Sequence, residues 1–350
     1  MRWQLSALNR RRWQSFKQQR FGVAALWCFL AIFFTSLCAN FLANDRPLLV
    51  IYKNSAYFPF LYDHPETTFG GELDIKPDWQ DDYILNLIEK AGGKVFEAPI
   101  PFSYDTINYH RPAPAPPSSE NWLGTDDQGR DVLARILYGL RTSILFGLTL
   151  TLGSSLIGIT VGAIQGFYGG SIDLYGQRFL EVWSGLPILY LLIILSGLID
   201  TGFWSLLVIL LLFSWMPLVD LVRAEFLKAK NYEYVLAARA MGLQNHRVMI
   251  RHILPNALVA TVTFMPFLLC GAITTLASLD FLGFGLPTGS PSLGELIAQG
   301  KHNLQAPWLG IAAFMTTSLL LILLVFIGGS VRDALDPRMV SKSTLPGQPS

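Results

Sequence analysis

Uncharged, apolar stretches alternate with short polar blocks along this chain. Between successive charged or histidine residues lie runs at 21–44, 142–172, 182–199, 201–219, 253–279 and 303–331. A helix needs about 20 residues to cross a hydrocarbon core roughly 30 Å thick, so each run predicts one spanning helix. The run 182–199 is the shortest and its ends are the least defined. A charge at the centre of a spanning helix costs about 2.5–3.5 kcal/mol on insertion scales, which accounts for its exclusion from these runs. The competing reading, buried helices of a soluble protein, requires six such segments inside one small domain. The pattern therefore predicts an all-α membrane protein with six transmembrane helices.

The polar blocks orient it. The tail 1–20 carries Arg2, Arg10, Arg11, Arg12, Lys17 and Arg20 and no acid, whereas residues 44–140 carry 15 acids and 8 bases. Basic residues favour the cytoplasmic side, which places the N-terminus inside and the long loop outside. Six spans return the C-terminal tail 336–350 to the cytoplasm. They also put there the block 220–252, with Arg223, Lys228, Lys230, Arg239, Arg247 and Arg251. The first helix, 21–44, is too long for a signal-peptide core and no small-x-small cleavage site follows it, so a retained anchor is expected.

Residues 45–118 form a small extracytoplasmic insertion. Leu49–Tyr52 reads as a strand, and 81–90 has helical spacing stopped by Gly92-Gly93. The run Arg111-Pro112-Ala113-Pro114-Ala115-Pro116-Pro117 is a stiff, extended strap. Nothing in the insertion has catalytic spacing; contact with another protein and a decorative addition both remain open. Downstream, Thr125 and Gln128 have capping-box spacing with Asp126, Asp127 and Asp131 nearby, and Val132, Leu133, Ile136, Leu137 and Leu140 follow at helical intervals. These predict an amphipathic helix at the outer interface, leading into the second span, either as part of a gate or as a plain juxtamembrane helix. Gly158, Gly162 and Gly166 place small residues every four positions on that span, below Gly147 and Gly153. Such a ladder lets two helix backbones approach closely in lipid, within this chain or against a second subunit.

The most informative polar block is 223–256. Asn231 is placed to cap a short helix from Tyr232 to Met241 that Gly242 ends, and a second helix from about Gln244 to Ile253 stops before Pro255. Two short helices meeting at a glycine between spans make a knob, and Ala237 and Ala238 leave one face without bulk. By spacing alone this is equally an ordinary interfacial helix.

Composition narrows the chemistry. The 350 residues are 51% hydrophobic and 15% charged, with a net charge of +1, and the basic residues follow topology, so nucleic acid is an unsupported partner. Cys28, Cys38 and Cys270 all fall in predicted spans, and His64, His110, His246, His252 and His302 lack metal-ligand spacing. The chain has no G-x-x-x-x-G-K-[ST], H-E-x-x-H or G-x-S-x-G pattern, so neither a nucleotide, a metal nor a catalytic residue is expected on it. An ion-coupled carrier would carry ionisable groups inside its spans. Glu181, Asp200 and Asp220 fall instead at predicted span ends.

Several separated segments resemble one family. Leu123-Gly124-Thr125-Asp126-Asp127-Gln128-Gly129-Arg130-Asp131-Val132-Leu133 is one, and Glu233-Tyr234-Val235 with Ala237-Ala238-Arg239-Ala240 another. Arg251-His252-Ile253-Leu254-Pro255-Asn256, Phe281-Leu282-Gly283-Phe284-Gly285 and Arg332-Asp333-Ala334-Leu335-Asp336-Pro337-Arg338 follow in order. Together they look like ABC-importer permeases of the dipeptide/oligopeptide/nickel family. The enlarged outer loop and Pro291-Ser292-Leu293-Gly294-Glu295-Leu296 are most similar to the second permease subunit of microcin C-type peptide importers. Ala237-Ala238, Gly242 and Leu254-Pro255 resemble the EAA loop of such permeases. Leu236 stands where the general pattern has Glu, His252 where it has Ile, and Leu293 where the outer loop often has Trp; the first two are usual in the peptide subfamily.

The resemblance implies a type I importer (MetI-like) transmembrane domain over 119–335, with 223–256 as the ATPase-coupling loop. It implies Glu233, Ala237, Ala238, Arg239, Gly242, Leu254 and Pro255 as coupling residues, and Asp126, Arg130, Asp131, Phe281, Gly283 and Gly285 at the outer interface or gate. The implied partners are a second homologous permease in a heterodimer, one or two ABC ATPase domains that use ATP and Mg, a periplasmic substrate-binding protein and membrane lipid. The implied place is the bacterial inner membrane. The implied activity is uptake of short peptides or peptide-like compounds by alternating access, with nickel or another small solute as the alternative cargo.

Overall fold

The computed structural model describes residues 7–335 apart from Asn54, His110 and 197–201. Asp200 and the last three residues of the segment 332–338 lie outside these. The chain begins with α1 (Ala7–Gln18), α2 (Arg20–Leu37) and the single turn α3 (Ala39–Leu42). The insertion follows: β1 (Leu49–Tyr52), β2 (Ser55–Tyr57), α4 (Asp82–Lys90) and β3 (Lys94–Phe96). Both outer strands pair antiparallel with β1, in register Val50–Tyr57 and Val50–Val95. The alternating apolar positions of β1 and α4 meet there, burying Val50, Tyr52, Phe69, Ile84 and Ile88 in a small core of their own. Asp81 caps α4 by accepting from the Tyr83 amide at 2.9 Å. The strand and the helix thus form where the pattern placed them.

The membrane part comprises α5 (Val132–Tyr168), α6 (Gly170–Ser184), α7 (Ile188–Ser196), α8 (Phe203–Ser214) and α9 (Met216–Ala229). Then come α10 (Glu233–Ala240), α11 (Asn245–Val248), α12 (Leu254–Leu282), α13 (Leu293–His302) and α14 (Pro307–Leu335). Among the described residues five stretches are long and apolar enough to span: Arg20–Leu37, Val132–Tyr168, Phe203–Ala229, Asn245–Leu282 and Pro307–Leu335. The expected third span, 182–199, is not one straight helix. Gly170–Ser184 and Ile188–Leu195 meet at a 64° bend, where Gly185 loosens the turn and Pro187 cannot donate to it. Glu181 and Asp220, expected at span ends, lie inside α6 and α9, because both helices outrun the uncharged segments.

The glycine ladder is an intrachain seam. An added Cβ at Gly158 would lie 2.8 Å from the Trp215 carbonyl oxygen, at Gly162 2.7 Å from that of Val219, and at Gly166 2.6 Å from that of Arg223. Helix α5 therefore packs backbone to backbone along α9, as small residues at i and i+4 permit. Gly147 opens toward Leu269 and Ile273 of α12, and Gly153 toward Leu211 of α8. At the end of the seam Arg223 grips Asp173 on α6 through both carboxylate oxygens, Nη2 to Oδ2 at 2.8 Å.

Two helix starts differ from expectation. Residues 121–131 are turns and bridges rather than an amphipathic helix, and α5 starts at Val132 with Asp131 as its cap, accepting from the Ala134 amide at 2.7 Å. The Thr125 hydroxyl is already engaged, accepting from the Ala115 amide at 2.8 Å, and Asp126 accepts from the amides of Gln128 and Arg130, both at 2.9 Å. Side chains that satisfy a loop in this way compete with helix formation. At the other boundary Pro255 does not stop a helix. A π-helical turn, Met249–Ile253, joins α11 to α12, and Pro255 sits in the first turn of α12, where its missing N–H is tolerated.

Candidate functional site

The knob between spans is built on α10. It is entered through Tyr232 in extended conformation with no side-chain cap, and Asn231, expected as the cap, instead points its amide toward the Leu227 carbonyl. It ends in a Schellman arrangement: the Gly242 amide donates to Arg239 O at 2.9 Å, the Leu243 amide to Ala238 O at 3.2 Å, and Gly242 has φ +78. That backbone conformation strains any residue with a Cβ, so this glycine is required by geometry. Glu233 in the first turn and Arg239 in the last complement the helix dipole.

One side of α10 is intramolecular. Val235 and Ala238 are buried with Phe226, Val248, Ile253 and Ala257 in a cluster that joins the ends of α5, α9 and α12. Ala238 is 1% exposed, so the alanine pair does not form a single open face; successive residues on a helix point about 100° apart. Ala237 is exposed and Ala238 is the knob's footing. The Arg239 guanidinium lies 4.7 Å from the Phe167 ring centroid, which ties the knob to the last turn of α5. Asn256 donates to the Tyr234 hydroxyl at 3.2 Å, tying it to α12. Leu254 packs against the same buried cluster, while Pro255 is exposed.

The other side faces out. Glu233 and Ala237 share it with Leu236 at 51% exposure and Met241 at 75%. Leu236 and Met241 are apolar side chains standing free on a block of polar, basic sequence. Spacing alone did not single out Leu236, Met241, Tyr234 or Phe167; for Leu236 and Met241 the signal was an apolar residue on the solvent side of an otherwise polar helix, and for buried Phe167 there was none.

At the opposite end of the spans, Asp126, Arg130 and Asp131 sit in a buried polar network. Arg130 Nε donates to Asp126 Oδ2 at 2.7 Å, and its Nη2 to Glu295 Oε1 at 3.3 Å. Arg135, fully buried on α5, donates to Glu295 Oε2 at 2.8 Å and to the Ser290 carbonyl at 3.1 Å. Gln299 bridges Glu295 and Asp126 at 3.3 and 3.5 Å. Asp131 accepts from the Asn121 side chain at 2.8 Å, and burial pushes its carboxyl above the usual range in spite of these bonds. Burial, and then the neighbouring Asp126 charge, also raise Asp127. The network clamps loop 121–131 and α13 onto the start of α5. Arg135, Glu295 and Gln299 were not anticipated, and no local spacing announces a partner about 160 residues away.

Phe281, Gly283 and Gly285 close α12 beside this network. Gly283 ends the helix at φ +81, the Lys301 ammonium sits 5.4 Å from the Phe281 ring centroid, and Gly285 leaves room for the Asp280 carboxylate. Asp280 accepts from the Leu286 amide at 2.7 Å and from the Ser292 hydroxyl at 2.5 Å. The residues expected at the outer interface thus converge on one brace, whereas those expected to couple gather at the far end of the same helices. Among the described residues no three His, Cys, Asp or Glu side chains converge to hold a metal ion.

Comparison with known proteins identifies the family. Residues 158–341 fit the family described as binding-protein-dependent transport system inner membrane component. The chain is 57% identical over 95% of its length to the inner membrane ABC transporter permease protein YejE of Escherichia coli K12, covering 98% of that protein. It is 52% identical, over 95% of its length and 94% of the relative's, to the peptidoglycan transport system permease protein YejE of Agrobacterium fabrum. A more distant relative, 36% identical over 64% of this chain and 71% of its own, is the dipeptide transport system permease protein DppC of Bacillus subtilis. A helical bundle of apolar spans carrying a knob between two of them, matched along nearly its whole length by such proteins, belongs to the family of binding-protein-dependent transport system inner membrane components and is an inner-membrane ABC transporter permease.

Proposed function

We propose that this permease carries short peptides or peptide-like compounds inward, and that the energy reaches it through the knob 223–256. The observation that carries the proposal is the two-sided build of α10. Its inner side is fixed by Val235, Ala238 and the Arg239–Phe167 contact, and its outer side offers Glu233, Leu236, Ala237 and Met241. A groove on an ATPase closing over that outer side would move α5, α9 and α12 together. ATP and Mg belong to that partner, one or two ATPase domains, and this chain has no catalytic step of its own.

The remaining assembly follows from the same reading. A second, homologous permease completes the pathway as a heterodimer, and a periplasmic binding protein delivers the cargo. The basic tail and block 220–252 support a cytoplasmic side for both termini and the knob, and on that reading the insertion and the Asp126–Arg130–Glu295 brace face the periplasm as the outer gate. One relative is named for dipeptide transport and another for peptidoglycan, a glycan polymer that bears short peptides, and this favours peptides over a metal complex.

Uptake of a labelled tripeptide by cells carrying the complete transporter tests the reading. Uptake that survives collapse of the proton gradient and stops on ATP depletion is the expected result. The reverse dependence would overturn it in favour of an ion-coupled carrier.

A further inference from the structure

An apolar groove of about 640 Å³ lies where α1, α2, α12 and α14 meet, near the first turn of α12. Its walls include Phe16, Leu258, Val259, Val262, Ile327 and Val331. The α12 contribution, Pro255 with residues 258, 259 and 262, follows the i, i+3, i+4, i+7 spacing of one helix face and runs about 10 Å along the axis. Three of the four helices around it, α2, α12 and α14, lie in stretches long and apolar enough to span a membrane, which puts the groove beside lipid.

Among the described residues the groove has a single charged wall residue, Arg12 on α1. None of the ion pairs among the described residues includes Arg12. Beside it Trp13 is half exposed, with the Lys17 ammonium 5.5 Å from its ring centroid. No acid occurs before Asp45, whereas Arg10, Arg11, Arg12, Lys17 and Arg20 do. A slot with apolar walls, an aromatic side chain at its mouth and cations at one end has the chemistry of an amphiphile's binding site. Apolar walls take acyl chain, Trp sits at headgroup level, and arginine receives a phosphate.

We propose that an anionic phospholipid of the surrounding bilayer binds in this groove, its phosphate on Arg12 and an acyl chain along Val259, Val262 and Ile327. The bound lipid fills the space between the basic helix α1 and the end of α12 that carries Pro255. It thereby ties the N-terminal segment to the helix that emerges from the knob.

The test is mass spectrometry of lipid retained by the assembled transporter, purified in mild detergent from membranes containing phosphatidylglycerol and phosphatidylethanolamine. The wild type should retain phosphatidylglycerol selectively. Arg12→Gln should lower that retention about fivefold, the contribution of one basic residue at a membrane surface. Val259→Trp, which fills the groove, should abolish it. Because Val259→Trp also risks misfolding, Arg12→Gln, on an exposed helix, decides the headgroup contact. Equal retention by all three proteins, or equal retention of the two lipids by the wild type, would overturn the proposal. So would capture of a peptide from 336–350, instead of lipid, by a photoreactive side chain placed at Val262.

Discussion

Replacing Gly162 by alanine should destabilise the permease, although alanine is the better helix former. The new methyl group would stand 2.7 Å from the Val219 carbonyl oxygen, 2.9 Å from Val222 Cβ and 3.2 Å from the Arg223 amide nitrogen. None of these atoms moves by a rotamer change; each is fixed to the α9 backbone, so the two helices must separate. Overpacking of this kind costs about 1–3 kcal/mol. On the scaling of domains of 150–250 residues, that corresponds to a fall of roughly 2–12 °C in Tm. Two other glycines calibrate the measurement. At Gly153 the nearest atom is Leu211 Cδ1, 2.9 Å away, the far end of a flexible side chain that can turn aside, so Gly153→Ala should be milder. At Gly271 no heavy atom lies within 4 Å of the added Cβ. There Gly→Ala should stabilise by about 0.4–1 kcal/mol through the unfolded chain alone. Thermal unfolding of the purified protein in one detergent, followed by tryptophan fluorescence, measures all three. Equal Tm values for Gly162→Ala and Gly271→Ala would refute the backbone-contact account of the ladder.

Other substitutions read other parts of the structure. Glu295→Gln keeps an amide oxygen able to accept from Arg135 but removes its charge, leaving the buried guanidinium with Asp126 at 3.5 Å as its remaining carboxylate, and should cost about 3–5 kcal/mol in the same assay. The paired change Arg135→Met with Glu295→Leu should recover most of that loss, and no recovery would mean the network holds the loop by more than charge compensation. Gly242→Val should abolish peptide uptake while the protein still reaches the membrane at normal abundance, because a β-branched residue cannot hold φ +78; transport at the wild-type rate would remove the knob from the coupling pathway. Asp81→Ala should weaken α4 by about 1 kcal/mol through loss of its cap, read as faster amide exchange across 82–90, with unchanged exchange counting against that cap.

Much of the bundle was legible because the cost of burying a charge in lipid acts on each segment separately. Uncharged runs at 21–44 and 303–331 become helices without help from distant residues. The ladder Gly158–Gly162–Gly166 predicted a close approach, yet only the fold says that α9 fills it. The third span was legible as an apolar run but its bend was not, because Gly185 and Pro187 break a run that hydropathy sees as continuous. Thr125 and Gln128 mimicked a capping box, but the hydroxyl serves the Ala115 amide across the strap, and the true cap, Asp131, stands six residues later. Residues 233–242 were recognised as a knob, whereas the division of labour between Ala237 and Ala238 needed the three helices beneath. The Arg135–Glu295 pair was illegible for a simpler reason, since 160 positions separate its members.

The π-helical turn at Met249–Ile253 has a mechanical corollary. Because it carries α11 into α12 without a hinge, Asn245–Leu282 is one rod of 38 residues, about 57 Å long. A rotation of only about 5° at its knob end would swing its far end by roughly 5 Å if the rod stayed rigid, enough to carry Asp280 and Phe281 away from Ser292 and Lys301. Pro266 is the place where that stroke would be lost, since it cannot donate to the Val262 carbonyl and leaves the rod one hydrogen bond softer at mid-length. On the proposed coupling, the gearing of this permease, the ratio of opening at one face to push at the other, rests on the stiffness of a single proline-bearing turn.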